Sequence, residues 1–77
     1  ERFVIVRKMG QERGGRRLPC PASIAELLSN GGKLLGIAAA QAREDGGRIL
    51  EEEELPFLAN ETIIRLHTQE DEMEYLN

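Results

Sequence analysis

A chain of 77 residues has room for one domain with one thin core, because a protein this short hides only roughly 60% of the surface its unfolded form exposes. Apolar residues make up 40% of it, but no run approaches the roughly 18 residues that cross a bilayer and no signal-peptide pattern opens it. Direct membrane insertion and secretion are therefore not expected.

A single cysteine, Cys20, leaves no internal disulfide to staple a small secreted fold, so a reducing, cytoplasmic setting is expected. The Asn60-Glu61-Thr62 sequon reads as coincidence in that setting. The chain opens on Glu1 rather than Met, which suggests a piece of a longer protein. The net charge of −4 conceals a division. Residues 1–48 hold nine Arg and Lys against five acids, whereas residues 49–77 hold one Arg against nine acids. Such polarity bears on the choice of partner and says nothing of fold.

In chain order, Phe3-Val4-Ile5-Val6 is a β-branched and aromatic run between cations, which predicts a strand. Gly10 to Gly15 is a polar turn, and Arg16 to Cys20 returns as a shorter strand stopped by Pro19 and Pro21. The pair makes a hairpin with a basic loop. Ser23-Ile24-Ala25-Glu26 has the spacing of a capping box: the hydroxyl accepts from the Glu26 amide while the carboxylate reaches back to the Ser23 amide. Ile24, Leu27, Leu28, Leu34 and Leu35 line one helical face, with Gly31 at an inner position of it.

Gly31-Gly32 would favour a stop at Asn30, each glycine costing about 1 kcal/mol inside a helix. The apolar stripe nevertheless resumes in phase, which predicts continuation to about Leu35 with Gly36 as a left-handed cap.

Beyond the helix, Ile37 to Arg43 is alanine-rich and predicts a third strand. Asp45-Gly46-Gly47 is a tight turn leading into a short fourth strand, Arg48-Ile49-Leu50. Glu51–Glu54 should face solvent, and Leu55-Pro56-Phe57-Leu58 should form an apolar turn tucked under the core. Thr62 to Leu66 predicts the last strand. Residues 69–77 form an acidic tail expected to fray, leaving one domain over residues 1–68. The expected fold class is α+β: a ubiquitin-like (β-grasp) roll in which one central helix crosses a mixed sheet, in the order β-β-α-β-β-β.

Two families of that fold share local patterns with the chain. The stretch Leu18-Pro19, Pro21-Ala22-Ser23-Ile24, Glu26-Leu27-Leu28, Lys33-Leu34 and Gly36, followed by Asp45-Gly46-Gly47-Arg48-Ile49, resembles the KHA domains at the C-terminus of plant voltage-gated potassium channels. That resemblance, the longer continuous one, implies subunit assembly or clustering of a larger protein such as a channel. Glu44-Asp45-Gly46, Glu51–Glu54, Leu58 and Asn60-Glu61-Thr62 are similar in spacing to the CIDE-N domains of apoptotic nucleases, their inhibitors and lipid-droplet proteins. Those domains pair through a basic face of one copy and an acidic face of the next. Each resemblance covers about 50 of the 77 residues.

Enzymatic chemistry has little support in the residues. Cys20 and His67 have no evident orienting third group, and one His with one Cys falls short of a zinc set. Four successive glutamates point in different directions and make a poor calcium loop. The Gly-Gly pairs lack the spacing of phosphate loops, and Tyr75-Leu76-Asn77 is not the diglycine of a conjugated modifier. No cofactor is expected. Nucleic-acid binding through the hairpin is disfavoured by the net negative charge and the want of stacking aromatics.

What remains is protein association, with itself or a sibling domain. The expected surfaces are a basic one (Arg7, Lys8, Arg13, Arg16 and Arg17) and an acidic one (Glu51, Glu52, Glu53 and Glu54).

Overall fold

Alternation along two strands builds the core. Val4 and Val6 on β1 (Phe3–Lys8) and Ile64 and Leu66 on β4 (Thr62–His67) are fully buried, while their sequence neighbours turn to the other face. The computed structural model describes residues 2–76. Its four-stranded sheet has the order β2-β1-β4-β3, with β2 spanning Arg16–Pro19 and β3 spanning Gln41–Glu44. The central pair, β1 and β4, is parallel with Val4 opposite Thr62; both outer strands run antiparallel to their neighbours. Helix α1 (Ile24–Leu35) lies across the face carrying Val4, Val6, Leu18, Ile64 and Leu66, and drives Leu27 into the middle of it. The class is α+β with a mixed sheet.

Local chemistry explains α1 closely. Ser23 accepts from the Glu26 amide at 3.1 Å, and Gly36, at φ 71°, closes the far end with its N–H turned back to the Gly32 and Lys33 carbonyls. The returning Glu26 carboxylate takes the Ala22 amide at 3.2 Å rather than the expected Ser23 amide, one residue earlier. The helix runs unbroken through both glycines. A Cβ on Gly31 would sit 2.5 Å from Leu66 Cδ1, and one on Gly32 would sit 2.8 Å from the Ile37 carbonyl oxygen. The missing side chain at Gly31 brings α1 down onto the sheet and that at Gly32 admits the returning crossover, which offsets their poor helix propensity.

Several expectations need correction. The strand expected at Arg48–Leu50 is only an isolated bridge, Ile49 to Arg43, because Leu50 turns in to the core after a single pairing. The strand expected from Ile37 starts at Gln41, the preceding residues crossing over from α1. Glu51–Glu54 faces solvent as expected at Glu51, Glu52 and Glu53, with Glu54 half-buried, but the run leads into a 3-10 helix over Glu52–Phe57 in place of a simple turn. The Glu54 carboxylate reaches back to the Glu51 amide at 2.9 Å, while the Glu54 amide donates to the Glu51 backbone carbonyl at 3.0 Å. Leu55 is buried as expected, but Phe57 points outward and is 85% exposed.

The acidic tail, expected to fray, forms a second helix, α2 (Gln69–Tyr75), with Thr68 and Asp71 making a capping box of their own at 3.0 and 2.9 Å. Asn77 lies outside the described residues. Among the described residues no helix is long and apolar enough to cross a membrane.

Candidate functional site

The sheet has two ends, and they differ in charge. β1 stops at Lys8, and the hairpin loop, Met9 to Gly15, extends past that end. At the opposite end, where β1 begins, Cys20 N–H donates to the Arg2 carbonyl and Cys20 Sγ lies 3.4 Å from the Leu55 carbonyl oxygen. That contact places the 3-10 helix there. The Glu52 carboxylate accepts from the Ile24 amide at 3.1 Å, joining the acidic turn to the start of α1.

The nine charged residues expected at a partner surface are not equivalent. Arg7 and Lys8 leave β1 on opposite faces. The Arg7 guanidinium turns back to the Gly14 and Glu12 carbonyls at 2.8 and 3.2 Å, so it braces the loop from within. Arg17 pairs with Glu61 at 2.5 Å and lies over the Phe3 ring, 5.3 Å from its centroid. Lys8, Arg13 and Arg16 are exposed, and among the described residues none has a carboxylate within ion-pair reach.

On the acidic side, Glu54 pairs with Arg48, which also holds Glu44. The hydrogen bond from Arg48 pulls the Glu54 carboxyl below its ordinary value, and the Glu51 amide adds to the effect; the same bond holds the Arg48 proton more tightly. Glu52 is bound to the Ile24 amide, and Glu53 is exposed with no side-chain hydrogen bond among the described residues. The expected division into two separate surfaces is thus partly neutralised within the molecule. The basic one contracts to Lys8, Arg13 and Arg16.

Lys8 and Arg16 flank a groove of about 530 Å³ between the hairpin and the last turn of α1. Its apolar lining comes from Met9, Leu34 and Leu35. Leu34 belongs to the stripe that reads as buried, yet it is 38% exposed, because the end of α1 reaches the hairpin loop instead of lying over strand. Beneath the loop, Arg65 donates to the Gln11 and Lys8 carbonyls at 2.5 and 3.3 Å and lies 3.2 Å from Asp45. The lone cation of the acidic half therefore steadies the basic hairpin.

No protein-family model matches this chain, and neither does any curated protein or solved structure.

On the face away from α1, a polar cluster fastens α2 to the sheet. Arg43, almost wholly buried, donates to both oxygens of Glu72, Nε to Oε2 at 2.9 Å and Nη2 to Oε1 at 2.7 Å. Its remaining nitrogen donates to the Gly47 carbonyl at 2.8 Å. His67 Nδ1 lies 2.7 Å from Glu72 Oε2, and since a carboxylate only accepts, that nitrogen carries the hydrogen. Tyr75 covers the group, with Arg43 Cζ 4.4 Å from its ring centroid and the His67 ring edge-on at 5.3 Å. The bond from Arg43 is the chief reason that the Glu72 carboxyl is lowered to about 2, with His67 assisting against the opposing effect of burial.

Sequence reading missed this cluster. Arg43 and His67 each follow a core residue, Ala42 and Leu66, and so fall on the strand face that alternation assigns to solvent, while Glu72 sits among other acids. The signal that was available is the Thr68-x-x-Asp71 spacing, a capping box opening a helix where fraying is expected.

Cys20 and His67 are not brought together. Cys20 is level with Arg2, before β1 begins, and His67 with Met9, beyond its end, so about 23 Å along the strand direction separates them. Among the described residues no three His, Cys, Asp or Glu side chains converge for a metal ion.

Proposed function

We propose that this is a non-catalytic protein-association domain with a ubiquitin-like roll, whose basic hairpin end meets an acidic surface of a second copy or a sibling domain. The central parallel pair, flanked by antiparallel strands and crossed by α1 on one face, supports the roll. The observation that carries the functional reading is the trio Lys8, Arg13 and Arg16, exposed together at one end of the sheet with no carboxylate in ion-pair reach among the described residues, whereas Arg17, Arg43, Arg48 and Arg65 each have one. In the KHA-like form of the reading, the domain assembles or clusters subunits of a larger protein such as a potassium channel, on the cytoplasmic side. The CIDE-N resemblance supports the same basic-to-acidic contact in a different parent.

Exposed ion pairs contribute only about 0.2–1 kcal/mol each, so the contact is weak alone and gains strength where copies are already tethered. Sedimentation velocity tests it. Between about 0.01 M and 1 M salt the screening length falls from about 30 Å to about 3 Å, and self-association should vanish over that range. A chain that stays monomeric at about 1 mM in low salt contradicts the homotypic form. If a sibling domain also fails to bind under those conditions, the whole reading falls.

A further inference from the structure

The groove between the hairpin and α1 calls for an occupant that is both acidic and apolar. Lys8 and Arg16 supply unpaired positive charge at its rim, while Leu34 and Met9 give it apolar surface that water covers poorly. An anion alone would leave the apolar part unused, and an apolar peptide would bury two cations unpaired, at a cost in desolvation.

The chain itself carries the complementary surface. The latch to Arg43 and His67 turns Glu72 and Tyr75 inward, so α2 presents Glu70, Met73 and Glu74 outward, at the i, i+3, i+4 spacing of one helical face. Met73 is 64% exposed between its two acids, and Leu76, just past the helix, is 73% exposed. A flexible thioether fits irregular apolar surface well, and Glu70 and Glu74, about 6 Å apart along the helix, are opposite in charge to Lys8 and Arg16, diagonal neighbours about 7–8 Å apart on the hairpin. Because the latch holds α2 in place, little order has to be gained on docking.

Resting on the association reading above, we propose that the outward face of α2 of one copy docks in the hairpin groove of the next, Met73 against Leu34 and Met9, with Glu70 and Glu74 facing Lys8 and Arg16. α2 lies on the face of the sheet opposite α1, whereas the groove lies on the α1 side. One copy therefore offers its two surfaces in different directions, and the contact propagates instead of closing on itself as a reciprocal pair. A seven-residue helix covers far less than the roughly 1,200 Å² of a stable complex, so dissociation constants in the high micromolar to millimolar range are expected.

The test uses two variants at exposed positions, Arg16→Glu in the groove and Met73→Asp on α2, with circular dichroism to establish that each melts as the parent does. Each alone should weaken self-association at low salt by at least about tenfold, the size of losing one anchor and its charge match. Mixed together, they should form a one-to-one complex that does not grow, because the intact α2 of the first fits the intact groove of the second. If Met73→Asp self-associates like the parent while Glu53→Lys does not, the acidic partner is the 3-10 turn: the association reading stands and the α2 proposal is overturned. Failure of the mixture to form heterodimers from two folded variants also overturns it. Absence of any self-association in the parent chain removes both.

Discussion

The two helices of this domain are held by opposite means. α1 is an apolar helix: it carries Leu27 into the core, closes on the sheet at Gly31 and on the Ile37–Ala39 crossover at Gly32, and would lose its place without them. α2 has no buried residue, and it stays on the sheet through one carboxylate gripped by an arginine and a histidine, under a tyrosine lid. The difference teaches how stability is distributed. Apolar burial is non-directional and sums over the whole fold, so damage to α1 is damage to the domain. A polar latch is local and directional, so α2 should detach while the sheet persists.

The largest effect should come from Leu27→Ala, which leaves a cavity at the centre of the α1–sheet contact and costs about 3 kcal/mol, read as a loss of global stability in denaturant melts. A change below about 1 kcal/mol would show that α1 is not the central brace described here.

Glu72→Gln tests the other side. It keeps the shape of the side chain but removes the charge facing Arg43, and should lower the melting midpoint by roughly 5 °C. Amide exchange should rise steeply over residues 71–75 and little in β1. Equal acceleration in both would erase the distinction between the helices.

Acid should reproduce that release in the parent chain. The Glu72 carboxyl is held at about 2, below its ordinary 4.5, so its contribution is complete above about 4.5 and is lost as the pH falls toward 2. Between those limits the α2 resonances should lose dispersion before those of β1 and β4. Simultaneous loss would mean that other carboxylates, not Glu72, govern acid unfolding.

The smallest effects, about 1 kcal/mol each, separate the two caps. Ser23→Ala should lower global stability, whereas Thr68→Ala should only fray α2.

The same contrast explains what was legible in the sequence. Buried apolar residues repeat at helical or strand spacing, so β1, β4 and α1 could be read, along with the cap at Ser23 and the turn at Gly36. Arg48–Leu50 misled because Ile49 and Leu50 have strand propensity, but only one of them pairs before the chain turns inward. The acidic run was legible in part. Composition places the glutamates at the surface, where Glu51, Glu52 and Glu53 are, but only geometry shows the Glu52 and Glu54 carboxylates meeting amides and Glu54 meeting Arg48. The basic residues of the hairpin were visible as a group. Which of them bond internally was not, because alternate faces of β1 send Arg7 and Lys8 to different fates.

The parallel pairing of β1 with β4 also sets an order of assembly in time. Val4 has to wait for Thr62 before the middle of the sheet exists, so a ribosome must deliver the chain at least as far as Thr62 before the first strand gains its second neighbour. Until then the hairpin offers an open backbone edge, and a fragment ending before Ala59 should remain unfolded by itself yet be rescued by a peptide supplying the missing strand.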